Sequence, residues 1–223
     1  LLELAQQREA AGEDVIHLEV GEPDFSTPPA VREAGHRALD EGRTRYTPAT
    51  GIPALREAIA GHYREHFDAE VAPERIIVTP GASGALLLAS QLLAGPGDGV
   101  LMADPNYPCN RHFMALAGAR VDAVPVGLDS GWQLNAELIE RHWRDDTRLA
   151  MLASPSNPTG HVLERAALGA VVDAVAERGG ELLVDEIYQG LNYGMAPLSV
   201  ASLSDRAFIV NSFSKYFGMT GWR

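Results

Sequence analysis

The chain has 223 residues, 46% of them hydrophobic and 22% charged, with 18 basic against 30 acidic side chains and a net charge of −12. This is the make-up of a soluble globular chain with one sizeable domain, or one domain and part of a second, and its acidity argues against nucleic acid or anionic lipid as partner. Cys109 is the single cysteine, which excludes an internal disulfide or a cysteine-based metal cluster and fits a reducing cytoplasm, and the longest apolar stretches, such as ALLLASQLLAG, are too short to span a bilayer.

The N-terminus, LLELAQQREAAGED, carries acids and glutamines where a secretory leader would carry a basic start and an apolar core. It has no initiator Met, and the chain stops on Gly-Trp-Arg, so both ends are expected to be trimmed. Residues 1–28 run into the turn-rich GEPDFSTPP and read as an arm or part of a small domain, with the main unit over 29–223. From there, short apolar runs alternate with stretches of helical period. RIIVT (75–79), GVLMAD (99–104), VDAVPV (121–126), RLAMLAS (148–154), ELLVDE (181–186) and AFIVNS (207–212) are candidate strands, apolar on both faces as in a sheet covered on both sides. Helices are expected over 52–67, 84–93, 110–118, 135–144 and 164–179, the last stopped by Gly179-Gly180, while GPGDG (95–99) reads as a turn. The alternation predicts an α/β fold, with helices on both sides of a mostly parallel sheet.

In such a sheet ligands bind beyond the carboxyl ends of the strands. The candidate strands lead into PGASGALLL, PNYP, PSNPTG, Asp185 with Tyr188 close behind, and FSK. PGASG opening a helix offers backbone N–H groups and the Ser83 hydroxyl to a phosphate, although Gly and Ser are also ordinary helix starters. Neither the dinucleotide fingerprint nor the P-loop motif occurs. Asp185 ends an apolar run, where a carboxylate needs a cationic partner such as a protonated ring nitrogen, or serves as a cap. Asn157 could mark only a turn, Tyr107 only a packed aromatic, and Arg223 only a solvated surface cation. Lys215 stands out because the other 17 basic residues are all arginine. Lysine can lose its proton and attack a carbonyl, which arginine cannot. A ligand with a phosphate, a protonated aromatic nitrogen and an imine-forming carbonyl would use all of these groups, and pyridoxal 5′-phosphate has the three.

The chain resembles the class I aminotransferases of the fold type I pyridoxal-phosphate superfamily. The resemblance runs through VGEPDF (20–25), YTPATG (46–51), PGASGAL (80–86), DPNYP (104–108), PSNPTG (155–160), VDEIY (184–188) and SFSKYFGMTGWR (212–223), in the family's order. It implies a three-layer αβα fold and a homodimer. It further implies that Lys215 forms the internal aldimine and shuttles the substrate proton, and that Asp185 pairs with the pyridinium nitrogen. Asn157 and Tyr188 would bind the ring's phenolic oxygen, and Tyr107 would stack on the ring. The Ala82 backbone, Ser83, Ser212 and Arg223 would hold the phosphate, Tyr46 would reach the phosphate of the neighbouring subunit, and Gly21 and Asn157 would lie where the substrate carboxylate docks. The family continues beyond this last motif with a further strand and a C-terminal small domain, so the 223 residues alone are expected to bind coenzyme poorly and not to turn over.

The function implied is amino transfer between an amino acid and a 2-oxo acid. A β-eliminating lyase would need the same Lys215, Asp185 and phosphate cradle. A non-catalytic sensing domain would need a basic DNA-binding segment, and a nicotinamide oxidoreductase a Rossmann fingerprint; neither feature is in these residues.

Overall fold

A computed structural model describes residues 1–18 and 20–222. Strands β1 (Gly99–Asp104), β2 (Arg120–Pro125), β3 (Thr147–Ala153), β4 (Glu181–Asp185) and β5 (Phe208–Val210) form one five-stranded sheet, ordered β2-β1-β3-β4-β5 and parallel throughout. The helices are α1 (Leu2–Ala10), α2 (Pro29–Asp40), α3 (Pro53–Phe67), α4 (Gly81–Leu93), α5 (Cys109–Leu116), α6 (Ala136–His142) and α7 (Arg165–Glu177).

Strand periodicity builds three layers. Leu101 and Ala103, Ala150 and Leu152, and Leu182 and Val184 point to one face and pack with Leu138 and Ile139 of α6 and Leu168, Val171 and Val175 of α7. The alternate residues Val100 and Met102, Leu149 and Met151, and Leu183 point to the other face, against Leu86 of α4 and Met114 of α5. Parity therefore puts Asp185 on the α4 side and Glu186 on the α6/α7 side. Gly179, at φ 67°, turns the chain between α7 and β4 at the stop expected from the sequence. Gly97, at φ 95°, does the same before β1.

Two expectations fail. Residues 76–79 form no strand: the one ladder-like bond there is Val78 N–H to Thr50 O, 3.0 Å, and Ile77 is 61% exposed. A β-prone run without a paired neighbour has nowhere to place its backbone groups in a ladder. β2 is not apolar on both faces either; it is an edge strand in which only Val124 is buried. No helix is expected before residue 52, yet α1 and α2 lie there, neither with a fully buried residue. α1 carries little apolar periodicity, whereas α2 is clearly amphipathic but polar on average, so its narrow apolar stripe goes unread.

Candidate functional site

The strand order reverses between β1 and β3, and the carboxyl ends of β1, β3, β4 and β5 all open on one edge. Each is followed by a loop carrying a sequence-nominated group. After β1 comes Tyr107, after β3 Asn157, at the end of β4 Asp185 and then Tyr188, and after β5 Ser212 and Lys215. α4 starts at the same edge, its first residues being Gly81, Ala82 and Ser83. Pro80 at its N-cap provides no side-chain cap, so the leading N–H groups are left for an anion.

Asp185 is 7% exposed and accepts one hydrogen bond, from Ile187 N–H at 3.1 Å. No cation pairs with it among the described residues, and burial pushes its carboxyl up to about 6. A buried carboxyl in this state would be stabilised as an anion by a cationic partner, which the described residues do not supply. Asn157 Nδ2 donates to the Tyr188 hydroxyl at 3.4 Å, joining the β3 and β4 loops, and burial raises the Tyr188 phenol above its ordinary range. Tyr107 is 37% exposed, and a hydrogen bond with Cys109 together with burial pushes its phenol up to about 12. Behind Tyr107 and Asn157 lies a void of about 10 Å³ lined also by Asn106, Asn110, Gln133 and Ser156. It has room for one water and not for an aromatic coenzyme, which would have to lie in the open crevice above it.

The lysine loop is held from two sides. Ser212 Oγ bonds Ser214 Oγ at 2.9 Å and accepts from Ser214 N–H at 3.1 Å, while Thr220 Oγ1 donates to Ser214 O at 3.2 Å. From the arm, Thr27 Oγ1 donates to Gly218 O at 2.8 Å and accepts from Trp222 Nε1 at 3.0 Å. Lys215 Nζ donates to Gly21 O, so the arm also meets the one lysine directly. A Cβ added at Gly21 meets no atom within 4 Å, so any steric demand for glycine there must come from a ligand. Tyr46 stands fully in solvent and touches none of these groups. Arg223 lies outside the described residues.

The donor set therefore fits pyridoxal phosphate: a cation-seeking carboxyl, an amide–phenol pair, an uncapped helix start and a lone primary amine at one edge. Sequence reasoning missed the frame behind it. Gln189 Nε2 donates to Ser154 O at 2.9 Å and Gln189 Oε1 accepts from Leu198 N–H at 3.2 Å, while Glu186 Oε1 accepts from Val200 N–H at 2.7 Å. The acidic doublet at 185–186 was the one available signal, and nothing marked Gln189.

Comparison with known proteins agrees. The pattern of the family described as aminotransferase class I and II matches residues 13–223. Among curated relatives, a (5-formylfuran-3-yl)methyl phosphate transaminase of Methanocaldococcus jannaschii is 38% identical over 100% of this chain and 58% of its own length. A probable aspartate/prephenate aminotransferase of Aquifex aeolicus is 39% identical over 98% of this chain and 57% of its own. Among solved structures, the aspartate aminotransferase of Thermus thermophilus with maleate superposes with a TM-score of 0.94 at 36% identity, covering 100% of this chain and 58% of that one. The chain thus spans a little over half the length of these relatives, and it belongs to the class I and II aminotransferases, pyridoxal-phosphate-dependent enzymes of fold type I.

Proposed function

We propose that the full-length protein moves an amino group between an amino acid and a 2-oxo acid, with Lys215 as its covalent and proton-transferring residue. The observation that carries this reading is the buried carboxyl of Asp185, with no cation paired to it among the described residues, on the same sheet edge as the one lysine of these 223 residues. Pyridoxal phosphate, when bound, supplies an imine-forming aldehyde and a protonated ring that withdraws electrons. Asp185 would keep that ring nitrogen protonated. Asn157 and Tyr188 would donate to the ring's phenolic oxygen, and Tyr107 would pack against the ring. The Ala82 backbone, Ser83, Ser212 and Arg223 would hold the phosphate, with α4's first turn adding its dipole. With coenzyme and amino acid bound, the Lys215 amine would be the group placed to take the proton from the substrate α-carbon. Gly21 and Asn157 leave and line the space for the substrate carboxylate.

Tyr46, solvent-facing in one protomer, is the residue through which a second copy completes the phosphate site, so the working unit is a homodimer. Residues 1–28 serve as the arm and 29–223 as the coenzyme-binding domain, in a protein of the cytoplasm. The test uses the full-length protein saturated with pyridoxal phosphate, reduced with borohydride and peptide-mapped, followed by a panel of amino donors. An adduct on the Lys215 peptide, with pyridoxamine phosphate accumulating on addition of a donor, is the expected result. Absence of that adduct, or pyruvate and ammonia as products, overturns it.

A further inference from the structure

Glu186 follows Asp185 directly, and the amino-transfer chemistry above makes no use of it. Its side chain is 1% exposed. Oε1 accepts the Val200 N–H at 2.7 Å, and Oε2 has no hydrogen-bond partner among the described residues. Strand parity turns it away from the crevice, toward the cluster that includes Val200. The groups facing it are Asp185, the last residue of β4, Ser199 and Val200 at the start of the 3₁₀ turn Val200–Ser202, and the Tyr63 phenol of α3, which accepts from Asn211 Nδ2 at 3.2 Å. None of these is a cation. A buried carboxylate with one backbone donor, a hydroxyl and a neighbouring acid recovers little of its lost hydration.

We infer that Glu186 is a positioning residue carried as a neutral carboxylic acid, tying the end of the 187–199 loop to β4 while leaving Asp185 as the one negative charge at this strand end. Burial, which raises the Glu186 carboxyl to about 7, agrees with that state. The loop carries Tyr188, so its anchorage bears on one of the two groups offered to the ring oxygen. Neutrality matters because a charge at Glu186 would oppose ionisation of Asp185 and with it the pairing to a ring nitrogen. This catalytic consequence rests on the coenzyme reading above; the protonation state does not.

The experiment uses full-length protein, apo and loaded with pyridoxal phosphate, as wild type, Glu186→Gln and Glu186→Leu. In the apo form, Glu186 should cost stability as pH rises from about 4.5 to about 7, because the unfolded acid ionises first. Gln removes that contribution, so its advantage in melting temperature should grow with pH and reach about 5 °C. In the loaded form, the pH titration of the visible absorption band should coincide for Gln and wild type below pH ~7. Leu, which lacks the acceptor for Val200 N–H, should weaken coenzyme affinity by about fivefold, with Gln restoring it. Carbon-13 NMR of glutamate-labelled protein should show a carboxyl titrating near neutrality in wild type that is missing in Glu186→Gln, apart from the surface glutamates near ~4.3. A melting difference constant across pH, a Gln titration displaced below neutrality, or no late-titrating glutamate overturns the inference. Failure to form any Lys215 adduct would instead sink the proposed function, leaving the apo and NMR measurements to judge Glu186.

Discussion

The two ends of the sheet treat their carboxylates in opposite ways. At the amino end, Arg120 holds Asp146 at 2.6 Å and Asp122 at 2.9 Å, Arg144 reaches Asp122 at 3.4 Å, and Arg148 reaches Asp98 at 3.6 Å. The hydrogen bond from Arg120 pulls the Asp146 carboxyl below its usual range. At the carboxyl end, Asp185 and Glu186 are buried and raised, with no cation for either among the described residues. One end pairs its carboxylates with arginines of its own sequence; the other buries two carboxyls with no such partner among the described residues. A stable fold tolerates such a deficit where function needs it.

Replacing the residues of the two ends should give effects of very different size. The largest is Lys215→Ala in the full-length enzyme, expected to lower amino transfer by about 10⁴-fold or more, read by coupled assay, since it removes both nucleophile and proton carrier. Next is Asp185→Asn, expected to lower kcat by about 10²- to 10³-fold. The same change should stabilise the apo protein. Asp185 is raised to about 6, so the unfolded chain gives up its proton first and stability is lost as pH climbs from the ordinary carboxyl range to about 6. Above that, Asn should gain on the order of 3 kcal/mol in denaturant unfolding. A variant both less active and less stable in the apo state at pH 8 would contradict the contrast between the sheet ends. Tyr188→Phe comes third: it deletes one partner of Asn157 and should cost about fivefold in kcat with little change in melting temperature. Smallest is Arg120→Ala, whose exposed pairs are screened by water. It should leave coenzyme affinity unchanged and lower the melting temperature only slightly, by an amount that shrinks as salt is added.

Legibility in the sequence followed the same division. GVLMAD is β1 residue for residue, and the expected helix over 52–67 is α3 within one residue, because an apolar period surrounded by turn residues is a local property. RIIVT reads like a strand and is none, since a ladder needs a neighbour and its own sequence cannot say whether one is there. In the same way Asp185 was legible as a carboxylate misplaced in an apolar run, whereas Glu186 appeared only as the other half of an acidic pair. Separating them took the parity of β4, which sends one to the α4 side and the other toward Val200.

The amino acids by themselves determined the alternation of strand and helix, the single amine at Lys215 and the polar character of the segments after the strands, since each of these is a matter of residue type and short-range order. Tertiary structure alone decided which of those segments meet. Gly21 and Lys215, 194 positions apart, touch because the arm folds across the loop after β5, and Asn157 finds Tyr188 because β3 and β4 are neighbours in the sheet. The physical reason is that burial and pairing depend on which elements become neighbours in space. Two adjacent acids of nearly equal intrinsic strength thereby come to lie in different surroundings, Asp185 bonded to Ile187 N–H and Glu186 to Val200 N–H.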